Sequence, residues 1–452
     1  MNQAEPDRSS HMFDRRFLVT LILPLVIEQL LAVSIGMADT VMVARVGESA
    51  VSAISLVDAI TVLIVTLFAA FATGGAVVAS QYLGRKDVAS ANTAAAQLLL
   101  LSLVVSTLLL AICMPIRSRI ISWIFGAIDS QVLAFGSTYF LYILASLPFL
   151  ATYNACAALF RSMGNSRVSL WVSVMMNVLN IGGNAYFIYG VKMGVAGAGL
   201  STLLSRVIGA VVMLTLITSP SNIISIHSIR SLRWRPEMVK RILRIGVPNG
   251  IESSVFQIGK LMVQGFITVF GTASIAANAI SSSVTSFINI PGGAIGLASI
   301  TIIGQAVGAR RHDEAFYWGK RLLLLSYVAM GVLAVPLYFL APTVVKVFNL
   351  SAEAREISVI VIRMTMVAGT VLWSPAFAIP NFLRAAGDAK YTMGVSMFSM
   401  WAFRVGGSYA LAIGLGWGVY GVWIGMYFDW LCRGVFFTQR FWRRKWQTKT
   451  LI

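Results

Sequence analysis

Two carboxylates that could exchange a proton or a cation lie in the first long apolar stretch of the sequence. Glu28 and Asp39 are 11 residues apart, about three turns of a helix, so both fall on one helix face, about 16 Å apart along its axis. Charged groups are costly in hydrocarbon and face a bundle interior or a water-filled cavity. Because burial disfavours the ionised form of a carboxyl group, this pair predicts uptake and release of a proton, or its exchange for a cation, inside a membrane.

The composition requires a membrane around these residues. Of the 452 residues 58% are hydrophobic and only 12% are charged, and the mean hydropathy is +0.80; soluble proteins carry about 25% charged residues. Apolar runs recur that are long enough to cross about 30 Å of hydrocarbon, and they lack the alternation of a barrel strand. We therefore predict an all-α membrane protein with twelve transmembrane helices. The predicted spans are 17–43, 50–79, 92–116, 131–156, 168–190, 195–218, 245–269, 273–305, 322–342, 356–380, 391–414 and 416–432.

The basic residues predict the orientation. The net charge is +18. With the N-terminus inside, 25 of the 35 lysines and arginines lie in inside segments and only 6 lie in outside loops. Positive charge concentrates in cytoplasmic loops, so we expect an integral plasma (inner) membrane protein with both termini cytoplasmic, and no nucleic-acid partner. The basic tail is expected to touch anionic lipid headgroups.

The sequence repeats itself at an offset of about 224 residues. The matched pairs are Pro24 with Pro248, Glu28 with Glu252, Gln81 with Gln305, Gly84 with Gly308, and Gly182-Gly183 with Gly406-Gly407. We divide the chain into a first lobe (1–218), a cytoplasmic linker (219–244), a second lobe (245–432) and a tail (433–452). Each lobe has six spans, so the two pseudo-symmetric bundles are parallel repeats, between which rocking gives alternating access. One chain holds both lobes, so a monomer is sufficient.

Short motifs in a fixed order resemble those of the multidrug and toxic compound extrusion (MATE) family. They are ADT at 38–40, QYLGR at 81–85, LFRSMG at 159–164, NVLN at 177–180, GVAGAG at 194–199, GVP at 246–248 and LRAAGD at 383–388. The resemblance covers nearly the whole chain. It implies a multidrug efflux transporter that exports organic, mostly cationic or amphipathic compounds by antiport coupled to H⁺ or Na⁺.

The same resemblance implies a cation-coupling site in the first lobe. Asp39 is the acid of the ADT motif, and Asn180 and Thr202 are its matching neighbours. Many members have an aspartate four residues after the equivalent of Asn180, where this chain has Asn184. The site therefore has one negative charge fewer, which favours protons over tightly bound Na⁺, although a sodium site near Asp39 stays open. No cofactor is expected besides the coupling ion.

We expect the substrate cavity to include Glu28 and Glu252, which the repeat places on opposing lobes, where they would attract a lipophilic cation. Each follows a proline, so each could instead satisfy backbone groups that the proline frees. The resemblance adds Tyr139 to the substrate path. In one branch of the family an acid stands one turn deeper in the seventh helix, at the position of Phe256 here, so Glu252 is not that residue.

Five further charges within the predicted spans are considered but not assigned a role. They are Asp58, Lys260, Arg363, Arg404 and Asp429; an interfacial position accounts for Arg363 and Asp429 as well as a function does.

Two alternatives to multidrug efflux stay open. A lipid-linked saccharide flippase of the wider superfamily is expected to have a cavity rich in arginine and lysine. A membrane enzyme or scaffold would need a catalytic constellation or a large extramembrane domain. The sequence has no phosphate-binding loop, no His-Glu-x-x-His or Cys-x-x-Cys metal motif and no recognisable triad, so we do not expect an enzyme.

Overall fold

The computed structural model describes residues 11–126, 128–226, 233–348 and 350–452, without the side chains of 33–41. The described residues form helices joined by short turns. The α-helices are α1 (Arg15–Ala44), α2 (Glu48–Gly84), α3 (Val88–Cys113), α4 (Arg117–Phe125), α5 (Ser130–Ser162), α6 (Ser166–Asn184), α7 (Val195–Ile217), α8 (Pro236–Thr268), α9 (Gly271–Gly308), α10 (His312–Lys346), α11 (Ala352–Ala385), α12 (Ala389–Ser399) and α13 (Gly418–Trp442). Three π-helical segments, Ala185–Gly190, Met400–Gly407 and Ala410–Gly414, and a 3₁₀ turn, Lys445–Thr448, complete the set.

The predicted all-α architecture is confirmed. Every predicted span coincides with helix apart from a few residues at the ends of 92–116, 195–218, 245–269 and 416–432, and α6 and α12 are extended by the π-helical segments that follow them. In the described part of the chain, seven helices are by length and composition able to cross a membrane: α2, α3, α5, α7, α9, α10 and α11. The short helix α4 was not predicted, because its nine residues are far fewer than the ~20 that a spanning helix needs.

The two halves exchange the beginnings of their first helices. Leu21 and Leu25 of α1 are buried in an apolar cluster with Trp318 and Phe441 of the second half. In return, Ile242 of α8 is buried in a cluster made mainly by α2, α3 and α5 of the first half. Helices in a bilayer associate through close packing rather than through removal of side chains from water, so this exchange of packed side chains holds the lobes together at the end of the bundle where α1 and α8 begin.

Two symmetric hydrogen bonds, one from α2 and one from α9, join the lobes at the same end. The side-chain amide of Gln81 donates a hydrogen bond to the carbonyl oxygen of Ala385 at 2.7 Å. The amide of Gln305 donates to the carbonyl oxygen of Ser162 at 2.8 Å. These two glutamines are repeat mates, so the structure gives their match a physical meaning: each ties its helix to the opposite lobe. We call these two hydrogen bonds, together with the crossing of α2 and α9 beside them, the clasp.

Glycine is required where α2 and α9 meet at the clasp. A Cβ on Gly84 would lie 1.9 Å from the carbonyl oxygen of Gln305, and a Cβ on Gly308 would lie 1.9 Å from that of Gln81. Both obstacles are backbone atoms, which cannot turn aside as a flexible side chain can. The Gln-x-x-Gly spacing of the repeat therefore encodes a close crossing of two backbones.

Gly84→Ala is expected to force the clasp apart and favour a state that is open at this end. The readout is maleimide labelling of Ser80→Cys, introduced after the three native cysteines are replaced, because Ser80 is fully buried beside Gly304. Labelling should rise several-fold in Gly84→Ala. The matched control is Gly394→Ala, where a Cβ meets nothing within 4 Å. Equal labelling of Ser80→Cys in Gly84→Ala and in the control would show that the clasp tolerates a side chain.

Candidate functional site

A cavity of about 300 Å³ lies inside the first half. Four residues that the sequence singled out line it: Tyr139 of α5, Asn180 and Asn184 of α6, and Thr202 of α7. The side-chain amide of Asn180 donates a hydrogen bond to the hydroxyl of Thr202 at 3.2 Å. The structure thus brings together residues that lie far apart in the sequence. The assignment of Asn180, Asn184 and Thr202 to cation coupling, and of Tyr139 to the substrate path, remains a prediction.

Small side chains allow α6 and α7 to approach closely at this cavity. A Cβ on Gly183 would lie 2.4 Å from the hydroxyl oxygen of Ser201. That hydroxyl donates to the backbone carbonyl oxygen of Asn180 at 2.7 Å. Immediately after Asn184, α6 continues as the π-helical segment Ala185–Gly190, a distortion frequent at functional sites. The crossing therefore fixes an amide and a hydroxyl side by side on the cavity wall.

Two charged residues outside the predicted site also line this cavity, Asp58 of α2 and Arg206 of α7. Arg206 donates a hydrogen bond to the hydroxyl of Ser146 at 2.7 Å. Both lie within predicted spans, so the rule that intramembrane charges mark functional sites could have selected them. The internal repeat could not have selected Asp58 and Arg206, because serine and tryptophan occupy the equivalent positions of the second half.

Asp39 belongs to α1, but its side chain lies outside the described residues. The backbone still relates α1 to the cavity. Val43, one turn further along the helix, lines the cavity. The hydroxyl of Tyr189 donates to the carbonyl oxygen of Met42 at 2.7 Å and so ties the end of α1 to the π-helical segment. The end of α1 thus forms part of the cavity wall.

Glu28 lies beside an arginine of its own lobe. Its carboxylate is 3.8 Å from the guanidinium of Arg161 and accepts a hydrogen bond from the hydroxyl of Ser169 at 3.0 Å. Arg161 comes from the LFRSMG motif at the end of α5. A substrate cation at Glu28 would therefore have to compete with a resident guanidinium, which the sequence did not reveal.

Glu252 repeats this arrangement in the second lobe. Its carboxylate is 2.7 Å from the guanidinium of Arg384 and accepts from the hydroxyl of Ser396 at 2.7 Å. Arg384 belongs to the repeat motif LRAAGD. The pair is more buried than that of the first lobe, with side chains 9% and 11% exposed. The repeat therefore conserves, between the two lobes, a carboxylate paired with an arginine.

The geometry defines a class of protein: a helical membrane protein of two parallel six-helix repeats, with a polar cavity inside the first. Residues 24–186 and 248–410 each match the MatE family model. The chain therefore belongs to the MatE family, the multidrug and toxic compound extrusion transporters, as the motifs of the sequence indicated. This is a family of transporters rather than of enzymes.

Relatives of known name match over almost the full length. The chain is 28% identical to the uncharacterized transporter YisQ of Bacillus subtilis over 451 residues, which cover 96% of each chain. It is 23% identical to the probable multidrug resistance protein NorM of Thermotoga maritima, over 97% of this chain and 94% of the relative. A crystal structure of a MATE transporter in a bent conformation superposes with a TM-score of 0.88 at 20% identity, covering 95% of both chains. The two-lobed fold is thus shared.

Proposed function

We propose that this protein is a secondary active multidrug exporter, in which a cation gradient drives efflux of organic, mostly cationic or amphipathic compounds through alternating access of the two lobes. The observation that carries the proposal is the first-lobe cavity. It places an amide, a hydroxyl and the carboxylate of Asp58 beside the end of the helix that holds Asp39. Oxygen ligands of this kind suit a proton or a small hard cation such as Na⁺.

Coupling follows if cation binding in this cavity favours one conformation over the other. A ligand shifts a conformational equilibrium only by its difference in affinity for the two states. The clasp closes the end of the bundle where α1 and α8 begin. Opening the clasp would expose the space between the lobes to that side, and a cation bound in the first lobe would change the free energy of that opening.

The proposal is tested with purified protein in liposomes loaded with a fluorescent lipophilic cation. Efflux is followed after a pH gradient or a sodium gradient is imposed, each with and without an ionophore that collapses it. We expect efflux that requires one of the two gradients, with the pH gradient the more effective, because Asn184 replaces an acid. Efflux that proceeds equally after both gradients are collapsed would contradict active antiport.

The distribution of lysine and arginine supports an orientation in which both termini, and the ends of α1 and α8 that begin these helices, lie on the cytoplasmic side. Reporter fusions test this orientation. A reporter that is active only in the cytoplasm should be active at the C-terminus and inactive when inserted between α3 and α5, near α4. The reverse pattern would invert the orientation and place the clasp on the outer side.

A further inference from the structure

Two apolar grooves flank α10 on the outside of the second lobe. The first, of about 500 Å³, lies between α10 and the start of α1. The second, of about 750 Å³, lies between α10, α11 and α13. Leu324 lines both grooves and is 61% exposed, so it forms the ridge that separates them. In a membrane, an exposed apolar ridge of this kind contacts the acyl chains of lipids.

Each groove has a basic residue at the same depth. Arg321 lines the first groove and Lys320 lines the second, and these two residues immediately precede the predicted span 322–342. Arg15, which also lines the first groove, stands two residues before the predicted span 17–43. Such positions correspond to the boundary between hydrocarbon and headgroups. The orientation predicted from lysine and arginine places them at the cytoplasmic leaflet, which carries anionic lipids.

Aromatic rings hold the two cations of α10 toward the start of the helix. The ammonium nitrogen of Lys320 lies 5.0 Å from the centre of the Phe316 ring. The guanidinium of Arg321 lies 5.0 Å from the centre of the Tyr317 ring. Each ring belongs to the residue four positions earlier, one turn nearer the cytoplasmic side. Neither cation forms an ion pair with any described residue. Stacking on a ring leaves the N–H donors of a cation available to an anion.

The carboxylates near these cations already have partners. Asp14 lines the first groove, and its carboxylate caps α1 by accepting a hydrogen bond from the backbone N–H of Phe17 at 2.6 Å. Glu314 pairs with Arg311 at 3.2 Å and accepts a hydrogen bond from the indole N–H of Trp318 at 3.4 Å. The described lining of the second groove has no acidic residue. The basic side chains that line the two grooves thus outnumber the acidic ones, so the grooves favour an anion.

Away from these cations, the grooves are lined by side chains that suit acyl chains. They include Leu18, Leu325 and Val328 in the first groove, and Leu372, Leu431 and Val435 in the second. Trp442, the last residue of α13, lines the second groove at the end nearest the cytoplasmic side, and tryptophan is enriched at the level of the headgroups. Each groove therefore has a polar end and an apolar length, as a phospholipid has.

We infer that the two grooves bind one anionic phospholipid, with its phosphate at Lys320 and Arg321 and one acyl chain on either side of Leu324. A phosphate accepts strong hydrogen bonds from both ammonium and guanidinium groups. A zwitterionic phospholipid would instead bring an ammonium group of its own to a surface that is already basic. The site goes beyond the proposed transport activity. Because the first groove lies between α1 of the first half and α10 of the second, the bound lipid would contact both halves of the protein.

Native mass spectrometry of the purified protein in a neutral detergent tests this site. The probes are dioleoyl phosphatidylglycerol and dioleoyl phosphatidylcholine, which have the same acyl chains. We expect the first phosphatidylglycerol to bind wild type at least about tenfold more tightly than phosphatidylcholine, because basic residues at the membrane surface attract anionic headgroups. The double variant Lys320→Gln/Arg321→Gln should lose this preference. The matched control, Lys346→Gln/Arg355→Gln, removes two exposed charges at the opposite side, where α10 ends and α11 begins, and should keep it.

The result separates a specific lipid site from a merely basic surface. The substituted side chains are all exposed, so the variants should fold, and melting temperatures check this. Equal affinity of wild type for the two lipids would overturn the inference, as would a preference that survives in Lys320→Gln/Arg321→Gln or is lost equally in the control. Displacement of phosphatidylglycerol by glycerol 3-phosphate at a similar concentration would also overturn it, in favour of a soluble phosphate ligand. Because no gradient is imposed, the result does not depend on the proposed export activity.

Discussion

Asp429→Ala is expected to lower the free energy of unfolding by about 3–5 kcal/mol, the usual effect of removing one partner from a buried ion pair. Asp429 is fully buried and accepts hydrogen bonds from Arg433 at 2.7 Å, Arg404 at 3.3 Å and the hydroxyl of Ser399 at 2.6 Å. Without its carboxylate, Arg404 and Arg433 remain in the protein interior and lose the carboxylate with which both are paired among the described residues.

Thermal unfolding in detergent, followed by tryptophan fluorescence, measures this effect. Asp313→Ala is the matched control: Asp313 also pairs with an arginine, Arg444, at 2.6 Å, but its side chain is 88% exposed, and such pairs contribute about 0–1 kcal/mol. The melting temperature should fall sharply for Asp429→Ala and little for Asp313→Ala. Similar melting temperatures for the two variants would show that Asp429 does not neutralise Arg404 and Arg433.

The architecture was predictable because two of its causes are visible in a linear sequence. Hydrocarbon demands long apolar helices, and the repeat of Pro24, Glu28, Gln81 and Gly84 about 224 residues later fixes two like halves. The reason for the Gln and Gly matches was not visible. It depends on the 1.9 Å approach of a Gly84 Cβ to the backbone of Gln305, and this contact exists only after the two halves pack together.

The ion-pair network of the second lobe was less predictable. The sequence left Arg404 unassigned and treated an interfacial position for Asp429 as equally good, whereas Asp429 is fully buried in an ion-pair network. Asp429 and Arg433 are four residues apart on one helix, so their contact could be predicted from the sequence. Arg404 lies in a π-helical segment, and no periodicity in the sequence predicts such a segment. Likewise, Glu28 and Glu252 were expected to attract cations, yet each lies beside an arginine from a distant helix.

Asp39→Asn is expected to reduce gradient-driven efflux to the level of protein-free liposomes. The substitution keeps the size and most of the hydrogen-bonding capacity of the side chain but removes its negative charge. If the Asp39 side chain only forms hydrogen bonds that hold helices together, asparagine should largely preserve its role. If the carboxylate exchanges a proton or a cation, asparagine should abolish that role. With Asn184 already neutral, the first-lobe cavity would then keep Asp58 as its described carboxylate, opposed by Arg206, and it would lose the charge difference on which coupling depends.

The most direct test of the account is therefore substrate efflux from proteoliposomes under an imposed pH or sodium gradient, comparing wild type, Asp39→Asn and the exposed control Asp313→Asn. Melting temperatures would confirm that all three proteins are folded. The account predicts gradient-dependent efflux in wild type and in Asp313→Asn, and none above background in Asp39→Asn. Full gradient-dependent efflux by folded Asp39→Asn would contradict cation coupling through the first lobe.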